Sequence, residues 1–397
     1  MVLGPGVVAA NAGNDAGGIA TYASAGAEFA YRTLFVMTLL TVALVVVQEM
    51  VARLAAHTGK GLGALMREEL PLRTTGFALT CLFVANAGLV VSEFAGLAAA
   101  FELFGVPRYV VVPIAAVGIW SLVLFGNYRY AERGLLILAL AFVAYPIAAV
   151  LAHPDWSQVA RSALWPHFDW DRQFLLLVVA LIGTTITPYM QFYGAGAVAD
   201  KGGGPDTYRL ARVDAVTGSL AANLVSACII IATAAAIGGT GPLDSAAEAA
   251  SALEPVAGAF AQQLFAIGLI GASALAAVVV PLSTAYAIGE AVGVERSVSR
   301  TFREAPLFLG LFTGQIVIGA AVSLLPGNLI DVLIGTQVLN GLITPIILSF
   351  ILVLANRRSV LGDAANGPVI RVLGVAIVTV VGVLSLAVVG QALLGIG

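Results

Sequence analysis

Apolar residues run through this chain in long blocks, and polar residues collect in short turns between them. Blocks of about twenty apolar residues are the length of a membrane-spanning helix. Punctuation by Gly, Pro and charge predicts eleven such helices, at 3–30, 32–57, 75–104, 108–126, 131–152, 173–200, 208–238, 256–292, 305–325, 328–355 and 368–396. Two blocks are interrupted in mid-span, the first near 13–18 and the sixth near 184–189. The longest connections are 153–172, with three Trp, and 239–255, which lacks Lys and Arg. Neither is long enough for a separate soluble domain, so 1–397 reads as one transmembrane domain. The apolar sequence begins almost at Met1, with no basic residue ahead of it to mark a cleaved leader.

The two interrupted helices stand five apart. Matching breaks in two halves point to an inverted repeat with a binding site between them. The expected fold is therefore an all-α integral membrane protein of eleven transmembrane helices with a 5+5 inverted repeat, helices 1 and 6 broken. The repeats cover about 1–152 and 173–355, and 368–396 is an additional helix.

Composition and charge sharpen this picture. Only 10% of residues are charged against 60% hydrophobic, whereas soluble domains carry roughly 25% charged residues. The net charge of -3 excludes a nucleic-acid partner. With the N-terminus inside, fifteen Lys and Arg fall in inside connections and four outside. The positive-inside rule thus places the N-terminus in the cytoplasm and the C-terminus outside, in the plasma membrane. Cys81 and Cys228 lie in apolar stretches and read as small packing residues. His57, His153 and His167 all fall in connections, so no span core holds an imidazole for proton relay. Gly202-Gly203-Gly204 lacks the Lys-Ser/Thr pair of a phosphate loop, and the chain reads as a transporter rather than an enzyme.

The first interruption is Asn11-Ala12-Gly13-Asn14-Asp15-Ala16-Gly17-Gly18. A mid-membrane charge costs about 3 kcal/mol or more and marks function. Broken backbone at that depth is tolerated where it lines a polar cavity. Asp15 is therefore the expected ligand of a cationic cargo, with the Ala12 carbonyl beside it and Gly17 and Gly18 opening the helix. No Lys or Arg lies in the core of an expected span to pair with Asp15. The second interruption is Gly183-Thr184-Thr185-Ile186-Thr187-Pro188-Tyr189. Its proline frees carbonyls near Thr184, and its threonines suit a polar cavity wall. Gln337 and Asn340 share one face of helix 10, either as interhelical hydrogen-bonding groups or as part of the site. Glu93, beside Ser92 in helix 3, is either a second acid of the site or satisfied locally. Asp214, two residues from Arg212, reads as a solvated or paired carboxylate.

These residues resemble the NRAMP family of divalent-metal transporters, which share the LeuT-type inverted-repeat fold. That family opens with Gly-Pro-Gly and breaks its first helix at Asp-Pro-Gly-Asn. This chain has Leu3-Gly4-Pro5-Gly6 and Asp15-Ala16-Gly17-Gly18. The family's Met-Pro-His in helix 6 is Thr187-Pro188-Tyr189, and its Ser-Gln-Val in helix 10 is Thr336-Gln337-Val338. The changed positions resemble the NRAMP-related magnesium transporter branch. The resemblance implies Mg2+ and Mn2+ transport without proton coupling. It implies a metal site of Asp15, Gly18, Ala12, Thr184, Thr187 and Gln337, with Glu93, Tyr189 and Asn340 at the cavity or in coupling. Metal is then cargo and no cofactor is expected. The expected partners are divalent ions and lipid, with the chain acting as a monomer.

The chemistry of the changes agrees. A thioether favours transition metals, and Thr187 replaces it with a hard oxygen. Mg2+ wants octahedral oxygen ligands and parts reluctantly with water. Small residues at 18 and 187 leave room for that water. Met190 is expected to turn away from Thr187. Three alternatives stay open: a proton-coupled Mn2+/Fe2+ transporter, an amino-acid or amine carrier of the same fold, and a non-transporting membrane scaffold or sensor.

Overall fold

A computed structural model describes residues 14–125, 140–202, 204–294 and 302–395. Among them the regular structure is entirely helical. In chain order the helices are α1 (Ala16–Phe29), α2 (Leu34–Thr58), α3 (Leu62–Glu69), α4 (Leu72–Glu102), α5 (Arg108–Phe125), α6 (Ala144–Leu151) and α7 (Trp156–Leu164). They continue as α8 (Arg172–Thr185), α9 (Pro188–Ala199), α10 (Pro205–Ile237), α11 (Ala246–Ser251), α12 (Glu254–Ala257) and α13 (Ala261–Val292). The last are α14 (Pro306–Ser323), α15 (Leu329–Asn356), α16 (Arg358–Leu361) and α17 (Pro368–Leu394).

Nine helical stretches among the described residues are long and apolar enough to cross a membrane, with α8 and α9 forming one of them. The first and fifth expected spans fall partly outside the described residues, and α1 and α6 are the parts described. Element ends follow local chemistry. α9, α10, α14 and α17 each begin on proline, which needs no helical donor at that position. α2 and α13 end on Gly59 and Gly293, both left-handed, the conformation a helix-terminating residue adopts when it lacks a Cβ.

Four short helices were not expected. α3, α7, α11 and α16 lie in connections and are too short to register against the long apolar blocks. α7 is capped by Asp155, whose side chain accepts from the amides of Ser157 and Gln158. The Ser157 hydroxyl, followed by those amides, holds the Asp155 carboxyl below its ordinary range. Around α7 the aromatic rings of Trp156, Trp165 and Trp170 are exposed. Such rings favour the membrane–water boundary.

The site is positioned by the central helices. α4 packs along α13, α14 and α15, and α10 along α1 and α2, while α8 lies on α15. α1 is held among α4, α8, α10 and α15, and every residue from Ala16 to Ala27 is buried. α5 and α17 present apolar side chains outward, among them Ile114, Val117, Val372 and Leu386. Faces of that kind suit lipid.

Candidate cation site at the two helix breaks

The start of α1, at the first expected break, is sharp. Asp15 is extended (φ -71°, ψ 176°), and α1 starts at the next residue. Its Oδ1 accepts from the Gly18 amide at 2.6 Å, the standard use of an aspartate at a helix N-cap. Its Oδ2 is buried and finds no hydrogen-bond partner. This corrects the expectation that Gly17 and Gly18 form the break: both lie in the first turn of α1. Gly18 supplies the capping amide. Gly17 leaves room for two side chains, since a Cβ there would overlap the Gln337 amide and lie 2.6 Å from the Ser92 hydroxyl unless both turned away. Ala12 lies outside the described residues.

The second break spans Ile186 (φ -118°, ψ 56°) and Thr187 (φ -65°, ψ 137°). The residue before a proline is pushed out of the helical region, which ends α8 and lets Pro188 start α9. Gly183 sets its position. A Cβ on Gly183 would overlap the Gln337 carbonyl and meet the Gly341 amide at 2.5 Å, so α8 touches the backbone of α15 here. Thr344 on α15 adds a hydrogen bond from its hydroxyl to the Ile186 carbonyl, at 3.4 Å.

Both breaks therefore face the same turn of α15. Gln337 and Asn340 are fully buried, and none of their four amide heteroatoms has a hydrogen-bond partner. The interhelical-bonding alternative for this pair is thus not what the structure contains. Thr184 and Thr187 are also fully buried with unpartnered hydroxyls. Tyr189 is buried in the first turn of α9. From α4, Glu93 accepts from the Ala16 amide at 3.4 Å through Oε2, and its Oε1 is unpartnered. Buried polar atoms are nearly always paired, so this concentration of unpaired oxygens and amides around α1 marks a place made for a polar guest.

Sequence reasoning missed three residues near it. Asn14 is buried and its side-chain oxygen accepts from Ser226 of α10 at 3.1 Å. The Ser92 and Ser273 hydroxyls are buried and unpartnered, and Ser273 borders Gly96 beside Ala16. An amide inside the broken motif was a legible signal for Asn14. The serines carried none, since serine is common in helix contacts. Asn223, by contrast, is engaged with Thr41 of α2 at 3.0 Å.

Among the described residues no group of three or more His, Cys, Asp or Glu could hold a metal. A cation here meets at most two carboxylates, with neutral oxygens completing its surroundings. That donor set is hard and leaves positions for water. Next to the second break a narrow pocket of about 10 Å3 lies between α2 and α10, where Tyr22, Gln48, Thr185, Ser219, Asn223 and Ser226 meet apolar neighbours and Met190 stands on the wall. Within that lining Tyr22 and Thr185 meet through a 3.3 Å contact of their hydroxyls.

Known proteins resemble this chain in sequence and in fold. The chain is 26% identical over 394 residues to the divalent metal cation transporter MntH of Aeromonas hydrophila, covering 96% of this chain and 93% of that one. The manganese transporter of Eremococcus coleocola superposes with a TM-score of 0.78 at 18% identity, over 96% of this chain and 85% of that one. MhsT in complex with L-phenylalanine superposes with a TM-score of 0.60 at 16% identity, over 99% and 98% of the two chains. The fold is accordingly the LeuT-type transporter fold. Residues 6–391 match the family model described as natural resistance-associated macrophage protein-like, and the chain belongs to that family, NRAMP.

Proposed function

We propose that this protein is a secondary transporter that carries Mg2+ and Mn2+ into the cell by alternating access, without proton coupling. One observation carries the reading: a buried carboxylate oxygen, Asp15 Oδ2, stands unpartnered at a helix break among unpartnered neutral oxygens. Asp15 is the charged ligand. Thr184 and Ala12 offer carbonyls, Thr187 and Gln337 offer side chains directly or through water, and Gly18 leaves space. The two breaks belong to two inverted repeats, about 1–152 and 173–355. The N-terminus lies in the cytoplasm, and the protein works as a monomer in the plasma membrane. Two charges moving inward gain about 2.3 kcal/mol each per 100 mV, enough to drive uptake with no proton.

The test is flux into proteoliposomes under an imposed voltage, with an internal pH dye. Mg2+ is expected to enter with no internal acidification. Movement of Mn2+ that Mg2+ neither joins nor competes with would remove the magnesium assignment. A second reading, proton-coupled Mn2+ transport, draws on the unpartnered Oε1 of Glu93 beside α1. Acidification in step with metal entry would favour it.

Selectivity is a further expected outcome. Gly18→Asn with Thr187→Met adds an amide and a soft thioether to the site. The Mn2+ over Mg2+ preference should rise about tenfold, equal to about 1.4 kcal/mol of differential binding. Competition of Mg2+ against Mn2+ uptake measures it. An unchanged ratio in the double variant would show that softness and space at these positions do not set the choice of ion.

A further inference from the structure

The short helix α7 has three faces rather than two. At about 3.6 residues per turn, Trp156, Ala160 and Leu164 form one stripe within about 80° of arc. Ser162, Val159 and Ala163 fall on one side of that stripe, and Ser157, Arg161 and Gln158 on the other. The Val159 side is the one packed on the protein: Val159 is 8% exposed, Ser162 and Ala163 are half-buried, and the helix lies along α2. The polar side is exposed, as a face toward water would be. The stripe between them is exposed as well, although it is apolar, with Trp156 at 51% and Leu164 at 75%.

The turn after α7 carries this surface onward and fixes its depth. Trp165, Phe168 and Trp170 are exposed. Phe168 packs edge-on against Trp170, with centroids 5.1 Å apart, and against Phe174 in the first turn of α8 at 5.5 Å. Phe174 meets Phe29, the last residue of α1, at 5.1 Å. The Trp170 carbonyl accepts from the Gln391 side chain, in the last turn of α17, at 3.2 Å. Arg32, just before α2, pairs with Asp169 at 3.3 Å. The aromatic turn thus sits where α1 and α17 end and α2 and α8 begin. α2, α17 and the α8–α9 stretch are each long and apolar enough to cross a membrane, so their neighbouring ends mark its boundary. Leu393 and Leu394 on α17 continue the exposed apolar surface there.

Length and charge decide which part of the boundary the segment fits. The nine residues of α7 make a helix about 14 Å long, too short to cross the bilayer. Residues 153–172 hold Asp155, Asp169 and Asp171 against Arg161 and Arg172. That balance offers no attraction to anionic headgroups, whereas tryptophan rings favour the layer between headgroups and acyl chains. We propose that α7 and the aromatic turn after it form an in-plane anchor that docks on this interfacial layer of the phospholipid bilayer. Trp156, Ala160 and Leu164 face the acyl chains, and Ser157, Arg161 and Gln158 face water. The ring series from Trp170 through Phe168 and Phe174 to Phe29 ties the adjoining ends of α1 and α8 to that layer.

The test uses the full chain in phosphatidylcholine vesicles whose acyl chains carry bromine either close to the headgroup or close to the bilayer centre. The chain has four tryptophans, Trp120, Trp156, Trp165 and Trp170. Trp120→Phe, Trp165→Phe and Trp170→Phe leave Trp156 as the single emitter. Adding Trp156→Phe and Gln158→Trp moves the emitter to the polar face. Shallow bromines are expected to quench position 156 about threefold more than position 158, since opposite helix faces stand about 10 Å apart. Deep bromines should quench Trp156 less than shallow ones, aqueous iodide should favour position 158, and added phosphatidylglycerol should leave these ratios unchanged. Equal quenching at the two positions, stronger quenching of Trp156 by deep bromines, or quenching that needs phosphatidylglycerol overturns the anchor. The unaltered chain gives a check free of substitutions. Three of its four tryptophans lie in this segment, so shallow bromines should quench more of its emission than deep ones, and the reverse order counts against the proposal. No readout depends on transport, so the anchor and the cargo assignment fail separately.

Discussion

Asp15→Asn is expected to abolish divalent-cation flux while the protein stays folded. Asparagine has nearly the same shape, and its side-chain oxygen can still accept from the Gly18 amide, as Asp15 Oδ1 does at 2.6 Å. The N-cap of α1 is kept, because asparagine serves there as well as aspartate. What is lost is the negative charge. Removing one member of a buried charge pair costs roughly 3 kcal/mol, above a hundredfold in affinity. Among the described residues no group of three or more Asp, Glu, His or Cys stands there to make up the loss. Proteoliposome uptake of Mg2+ and Mn2+ measures the loss, and thermal unfolding with and without Mg2+ separates it from misfolding. The variant should melt near the parent temperature without Mg2+ and should lose the rise that bound ion gives the parent. Asp15→Ala makes the comparison stronger, since it discards the cap as well and should cost about 1 kcal/mol of stability. Uptake by Asp15→Asn above a third of the parent rate would remove Asp15 from the site.

Much of this molecule was legible before its structure. Apolar block length located the long helices to within a few residues, because membrane thickness fixes a minimum length that sequence displays directly. Proline 188 located the second break because its chemistry is local. The i, i+3 spacing of Gln337 and Asn340 put them on one face, and the structure sets both breaks against that face. Local pattern failed where a residue's reason is a distant neighbour. Gly17 reads as a helix breaker, yet it sits inside α1, with the Gln337 side-chain amide over the place where a Cβ would stand. Arg53 counts as one more inside charge, yet it is buried by Asn366, more than three hundred positions away. Ser273 is indistinguishable from any helical serine until Gly96 and Ala16 are seen beside it.

The same reasoning yields the largest expected loss of stability, from Gly183→Ala. Alanine is the better helix former, so an exposed helical glycine changed to alanine should be neutral or gain up to about 1 kcal/mol. Gly183 is different because what lies over it is backbone. Its new methyl would overlap the Gln337 carbonyl, meet the Gly341 amide at 2.5 Å and press on Asn340 Cβ at 3.1 Å. A side chain could rotate away, whereas a helix backbone moves only as a unit. Gly341 offers no relief, since its own absent Cβ is the space in which the Val179 carbonyl of α8 lies. The two glycines let α8 and α15 meet backbone to backbone, the use small residues have between membrane helices. Overpacking such a contact should cost about 3 kcal/mol and lower the melting temperature by roughly 5 °C or more. Gly310→Ala in α14, where no neighbour lies within 4 Å, is the matched control and should not lower it. Equal melting temperatures for the two variants would mean that the α8–α15 crossing is looser than its geometry. Function should fall with stability here, because the contact that Gly183 permits holds Thr184 against the turn carrying Gln337. A Gly183→Ala protein rescued to parent stability by a remote stabilising change should still transport poorly, since the two breaks would no longer meet at one site.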